Sequence, residues 1–313
     1  MLEIQYQIAP IFVLIVLGHL LRRGGIPNTE FWNLNDRLVY WVLMPCLLFY
    51  KTSTIDLSFD LIGSFAVVVL GAFFCSILFG LTVAKLMRMP GTVSSSVLQG
   101  AARHNTFIAL AVAESVFGLN GLALAALVTA LLIPVTNLTI VPAMVVLLND
   151  NQDESGGGML VHVLQDLGRN PLLIAVALGI LVNLSDIGTI PVLHETTSII
   201  GSAALPIVLM CVGANIRLRA MQASALPVLV STIGKMVLFP AAIVVLAQLA
   251  GLSLMETYIA VIFGSVPTAA SSYTLSRQMG GDAPLMAAIV TIQTCLSFVT
   301  VPLTIELVKW MLG

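Results

Sequence analysis

Charge is what this sequence has least of. Asp, Glu, Lys and Arg make up 9% of its 313 residues, where a soluble domain carries about a quarter. That shortage excludes an ordinary water-soluble globule. The formal net charge is −2 and no basic run occurs, so nothing in the chain suits a nucleic-acid partner. Cysteine is scarce as well. Cys46, Cys75, Cys211 and Cys295 lie scattered in apolar stretches, none in a C-x-x-C pair. Neither disulfides nor a metal or other cofactor is expected. Catalytic signatures are missing. There is no G-x-S-x-G and no H-E-x-x-H, and Gly280-Gly281-Asp282 is not a paired-aspartate arrangement. An intramembrane enzyme is therefore a remote alternative. The first apolar stretch, 8–21, lacks a positive leader and a small-residue cleavage site. It reads as a first span rather than a signal peptide.

What the chain has is apolar length. It is 58% hydrophobic, with a mean hydropathy of +1.05. A membrane-crossing helix needs about 20 such residues. Ten stretches qualify or nearly so: 8–22, 34–51, 61–87, 93–117, 121–148, 170–186, 193–216, 224–250, 254–277 and 283–311. The expected class is an all-α polytopic membrane protein with ten transmembrane helices. The one long polar connection, 149–169, carries Asp150, Asp153, Glu154, Ser155 and three glycines, the composition of a flexible linker. It ends in a short amphipathic stretch at 160–167.

Lys and Arg set the orientation. With the N-terminus outside, the cytoplasmic side receives Arg22, Arg23, Arg37, Lys85, Arg88, Arg169, Arg217, Arg219 and Arg277. The outer side receives only Lys51 and Lys309. Both termini are thus expected outside and the linker in the cytoplasm, in a plasma (inner) membrane.

The linker divides the spans five and five, and the halves share landmarks. Pro10…Gly18 is matched by Pro171…Gly179, Ile26-Pro27 by Ile190-Pro191, and Pro45 by Pro206. The fifth spans agree most closely: Ala125-Ala126-Leu127-Val128-Thr129 ending at Val141-Pro142, against Ala287-Ala288-Ile289-Val290-Thr291 ending at Val301-Pro302. An odd number of spans per repeat forces the two repeats into opposite orientations, the architecture of secondary transporters. The expected domains are a first repeat (1–148) and a second (170–313).

By that repeat, span four corresponds to span nine, and these two are interrupted by polar residues. Arg103, His104, Asn105 and Thr106 follow one another inside an apolar stretch. In 264–278, GSVPTAASSYTLSRQ, Pro267 removes a backbone donor and disfavours helix before it. The expected breaks are 104–106 and 264–268. Half-helix N-termini at two such breaks carry partial positive charge, and facing each other they suit an anion. Asn105 can donate and accept, Arg103 can supply charge to a carboxylate, Thr268 can cap the second half-helix, and Ser271 and Ser272 add hydroxyls. Arg103 has the alternative of pairing with Glu114, and His104 of a structural role or a part in proton coupling. Lys235 has Glu114 and Glu256 as candidate partners, with a coupling or gating role as the alternative. Glu114 and Gln293 are further coupling candidates. Asn137, Asn215 and Gln293 are lone intramembrane polar residues, for which helix–helix hydrogen bonding is the default. The small residues of 63–80 suit close packing.

Three segments together resemble the auxin efflux carrier family: Asn105-Thr106-Phe107-Ile108-Ala109, WVLMPCLLFYK around Pro45, and VPTAASSYTLSRQMGGDAPLMAAIVTIQTCLSFVTVPL at 266–303. That family sits in a larger group with bile-acid symporters and plant PIN-type carriers. The resemblance runs over essentially the whole chain. It implies two inverted five-helix repeats, with spans 4 and 9 crossing at their breaks. Spans 1, 2, 6 and 7 would be a scaffold that often dimerises, and spans 3–5 and 8–10 a mobile transport domain. The implied substrates are small organic anions: auxin in plants, malonate- or lactate-like acids in bacteria. By that likeness Asn105 and Pro267 mark the crossover. The short linker matches a compact bacterial member. Plant members usually have an uncharged residue before the Asn-Thr pair, so Arg103-His104 favours a smaller, more charged acid than auxin. The expected function is a secondary carrier for a small carboxylate, working by elevator-type alternating access, as a homodimer in the bilayer. Its alternative is a sodium-coupled bile-acid-type symporter using oxygens of Glu114, Gln293, Thr129 and Thr291.

Overall fold

A computed structural model describes residues 2–26, 28–54, 59–148, 165, 168–185, 187–218 and 225–312. The expected linker 149–169, its amphipathic stretch and Arg219 fall largely or wholly outside these residues. The described chain is helical throughout, with no strand among the described residues. The helices are α1 (Leu2–Arg23), α2 (Thr29–Leu38), α3 (Met44–Thr54), α4 (Phe59–Leu86), α5 (Gly91–Ala102), α6 (Thr106–Leu148) and α7 (Pro171–Leu184). They continue with α8 (Leu193–Ser202), α9 (Ala204–Ala214), α10 (Ala225–Ile233), α11 (Phe239–Ala250), α12 (Leu254–Ser265), α13 (Ser271–Met279) and α14 (Ala283–Leu312). In six stretches the described helix is long and apolar enough to cross a membrane, and Pro171–Leu184 and Leu254–Ser265 are shorter apolar helices.

Prolines explain several of the joints. A proline has no N–H and crowds the carbonyl four residues back. Ahead of Pro45 the chain opens into a π turn, Val39–Leu43, and the Met44 N–H reaches the Val39 carbonyl. Ahead of Pro240 the same happens at Gly234–Leu238, where the Phe239 N–H reaches the Gly234 carbonyl. The wider turn lets the helix run on past a residue that cannot join an ordinary ladder. Helix α6 has 43 residues, roughly 65 Å at 1.5 Å per residue and about twice a bilayer's hydrocarbon. It turns at Gly118, whose φ of 64° is left-handed.

The chain forms two compact units. The first comprises 1–62, 107–131 and 167–215, and the second 63–106, 132–166 and 216–313. In the first, α1 lies along α9, and α3 along α7. Both contacts depend on a missing side chain. A Cβ on Gly18 of α1 would strike the Met210 backbone, and one on Gly179 of α7 would strike Thr52 and the Phe49 carbonyl. The C-terminal end of α9 is held by side chains: Arg22 Nη1 donates to the Ala214 carbonyl and to Asn215 Oδ1, 3.0 Å each, and Asn215 Nδ2 donates to Asp36 Oδ2 at 3.0 Å. Asn215 is thus the interhelical bridge expected of it. A cation on the last carbonyls of a helix also complements its dipole.

In the second unit the buried side chains of α4, α5, α10, α11, α12 and α14 enclose Phe73, Phe239, Phe263, Leu98, Met286 and Ile289. Gly179→Leu should overpack the α3–α7 contact and lower the melting temperature of the purified protein by about 5 °C or more. Gly63→Leu, where an added Cβ meets nothing within 4 Å, should leave it within about 1 °C; scanning fluorimetry in detergent compares the two.

Candidate functional site

The second unit contains both expected interruptions. Helix α5 stops at Ala102, and Arg103 takes an extended backbone, φ −68° and ψ 152°. Helix α12 stops at Ser265, and Val266 takes φ −66° and ψ 154°. The second stop follows from Pro267, which pushes the residue before it out of the helical region. Helix resumes at Thr106 and at Ser271, so the breaks span 103–105 and 266–270, each shifted slightly from its expected position. They are joined directly. The Asn105 N–H donates to the Pro267 carbonyl at 2.8 Å. Asn105 is buried, 3% exposed, and so is Thr268.

Each break strands backbone groups that hydrocarbon cannot satisfy, and the surrounding side chains take them up. The Gly100 carbonyl accepts from Gln293 Nε2 at 2.9 Å and lies 2.8 Å from Thr268 Oγ1. Gln293 Oε1 accepts from the Thr268 N–H at 2.9 Å and lies 2.8 Å from Thr268 Oγ1. The Ala101 carbonyl, whose helical donor Asn105 has turned to Pro267, accepts from Ser76 Oγ at 2.7 Å, with the Gly234 carbonyl 3.2 Å from the same hydroxyl. Lys235, fully buried, donates to the Phe263 carbonyl at 2.8 Å.

Two expectations are corrected here. Thr268 does not cap α13; Ala270 holds that position, because the Thr268 side chain is drawn to Gly100 and Gln293. Lys235 binds a carbonyl rather than Glu114 or Glu256. Glu256 instead closes a capping box with Ser253 at the start of α12. Thr129 of the sodium-ligand alternative donates to the Ala125 carbonyl of its own helix at 2.9 Å, and Thr291 accepts from the Arg217 N–H at 3.2 Å. Glu114 is half-buried in the first unit, whereas Gln293 and Thr291 belong to the second. Asn137 is half-buried in α6.

Buried polar atoms without a partner among the described residues cluster at the breaks and include Gln99 Oε1 one turn earlier on α5. Arg103 Nε and Nη1 are buried with no hydrogen-bond partner among the described residues, and Nη2 reaches only Ser271 Oγ, at 3.4 Å. Ser272 Oγ is buried and unpartnered, one residue along the same half-helix. The His104 ring lies 5.6 Å from that of Phe263, and neither of its nitrogens has a partner among the described residues. An unpaired buried guanidinium is costly. A planar carboxylate is the ligand its fork of donors fits. Two half-helix N-termini, those of α6 and α13, begin at the same breaks and add positive potential.

Residue-by-residue reading missed Ser76 and the pair Gln99 and Ser276, where Gln99 Nε2 donates to Ser276 Oγ at 2.8 Å between α5 and α13. Ser76 sat in the small-residue stretch taken as packing. Gln99, lone and amide-bearing one turn before Arg103, was the signal available.

These features define a multi-pass helical membrane protein whose polar core is a pair of joined helix breaks. A family model described as membrane transport protein matches residues 4–305, and the chain belongs to that family, the auxin efflux carrier family. It is similar to an uncharacterized transporter of Methanocaldococcus jannaschii, 23% identical over 301 residues that cover 94% of this chain and 95% of the relative. The protein is a membrane transporter.

Gln293→Leu should leave the Thr268 N–H unpartnered and remove one of the Gly100 carbonyl's donors. The expected cost is about 2–4 kcal/mol. It should appear as a melting temperature lower by about 5 °C or more, while Gln293→Glu, which keeps the acceptor, should lose less.

Proposed function

We propose that this transporter carries a small organic carboxylate by alternating access, with the anion bound at the joined breaks. The observation that carries the reading is the Arg103 guanidinium, two of whose nitrogens have no partner among the described residues, beside Ser271, Ser272 and the two half-helix N-termini. Arg103 would take the carboxylate through paired N–H donors. Asn105 and Thr106 would orient it from one break, and Pro267, Thr268, Ser271 and Ser272 would shape the other. His104, with unpartnered ring nitrogens, is the group available for proton coupling, and Glu114, Lys235 and Gln293 complete the proposed coupling set. The fully charged Arg103 favours malonate- or lactate-like acids over a bulky aromatic one.

The proposed architecture is ten crossings in two inverted repeats, termini outside, linker inside, in the plasma (inner) membrane. Support comes from the exchange of contacts in the first unit. Gly18 of span 1 meets span 7, and Gly179 of span 6 meets span 2, as an inverted pair of repeats requires. Spans 1, 2, 6 and 7 fall in that unit together with 107–131. In the proposed motion spans 1, 2, 6 and 7 are the scaffold, pairing with a second copy, and spans 3–5 and 8–10 move as an elevator, except that the 107–131 portions of spans 4 and 5 group with the scaffold spans. The joined breaks suit such a motion because their hydrogen bonds close within one unit.

Proteoliposomes offered labelled malonate, lactate and indole-3-acetate under imposed proton, sodium or potential gradients should take up at least one of the smaller acids. Arg103→Gln should cut that uptake at least tenfold, and Asn105→Ala should abolish stabilisation by the same acid while the protein still folds. No uptake or exchange of any organic anion would defeat the proposal.

A further inference from the structure

Lys235 enters the carrier reading only as a coupling candidate, with no account of the contact it makes. It is a lysine with 0% exposure. Such a group is costly to bury unless its charge is compensated. Its position explains why the protein keeps it. Nζ donates at 2.8 Å to the carbonyl of Phe263. In an unbroken helix that carbonyl would accept from the N–H of residue 267, and residue 267 is a proline, which has none. The next donor along, the Thr268 N–H, is held by Gln293. The carbonyl that Pro267 orphans is therefore satisfied by an ammonium delivered from another helix.

The surroundings select a cation rather than any donor. The Phe239 ring faces Nζ at 4.4 Å from its centroid, within cation–π range. Phe263 lies in the last turn of α12, which ends at Ser265, where the helix dipole is negative. A second helix ending is close by, because a Cβ on Gly234, the residue before Lys235, would lie 2.9 Å from Ala101 Cβ near the end of α5. Lys235 itself sits in the π turn ahead of Pro240. Carbonyl oxygen, aromatic face and helix C-terminus each favour a cation at this position.

We infer that Lys235 is a tethered cation: its ammonium occupies a monovalent-cation site at the Pro267 break, and removing the side chain opens that site to a free cation. The partition of charge then has a simple geometry. Helix N-termini and Arg103 present positive potential for the anion, and the C-terminal ends of the preceding half-helices are neutralised by an ion the chain carries itself. The protein holds its breaks together without recruiting sodium or potassium. This goes beyond the carrier reading and is tested without any substrate, so either can fail alone.

The test is the melting temperature of the purified full chain in choline, sodium, potassium and ethylammonium chlorides at equal ionic strength. The wild type should melt within about 1 °C in all four. Lys235→Ala should melt about 5 °C or more lower in choline, the scale of one buried carbonyl left unpaired. Sodium, potassium or ethylammonium should restore at least half of that loss in a saturable way. Lys235→Met, whose chain fills the space, should be destabilised in every salt. Lys235→Ser leaves room and a hydroxyl ligand, is run in parallel in case the alanine variant does not fold, and should respond as alanine does. The inference is overturned if the alanine and serine variants are indifferent to the small cations. A wild type stabilised by sodium or potassium over choline, or a Lys235→Met variant as stable as wild type, overturns it equally.

Discussion

Proline 267 withholds one hydrogen-bond donor in the middle of an apolar helix, and much of the second unit answers that omission. In hydrocarbon an unpaired backbone group costs several kcal/mol, so a broken helix survives only where other elements supply partners. Here they come from four directions: Ser76 from α4, Lys235 from the π turn before Pro240, Gln293 from α14, and the backbone of Asn105 from the other break. The two breaks are thus mutually dependent. The Asn105 N–H could not leave its own helix without the Pro267 carbonyl to receive it, and the Ala101 carbonyl so released needs Ser76.

That network divides the polar groups into two kinds. Backbone carbonyls and N–H groups of the breaks are taken up by neutral side chains and one buried amine. Among the described residues the groups left over at the breaks include two guanidinium nitrogens of Arg103, the hydroxyl of Ser272 and the ring of His104. The formal charge among them, that of Arg103, is positive.

Packing in the first unit follows a different rule. Helices meet there through missing side chains, with Gly18 and Gly179 bringing α1 onto α9 and α7 onto α3. Small residues let backbones approach when hydrophobic burial gives no advantage over lipid. Polar side chains add to the α7–α3 contact, where Asn183 Nδ2 donates to the Ser53 carbonyl, and hold a helix end in the Arg22–Asn215–Asp36 bridge.

Much of this was legible from residue order. The scarcity of charge dictated an apolar helical protein, because too few polar side chains exist to solvate a globule. Pro267 dictated a break by its missing N–H, and the run Arg103–Thr106 marked the other by the cost of burying four polar side chains without partners. The family followed from the same stretches. What only the tertiary structure decided is which group meets which. Thr268 looked like a cap and became a cross-link, since its hydroxyl is taken up by the Gly100 carbonyl and Gln293 Oε1. Lys235 looked like half of an ion pair and became the donor for one carbonyl. No periodicity could place it there, because the carbonyl it serves is 28 positions away and is free only because of a proline on another helix.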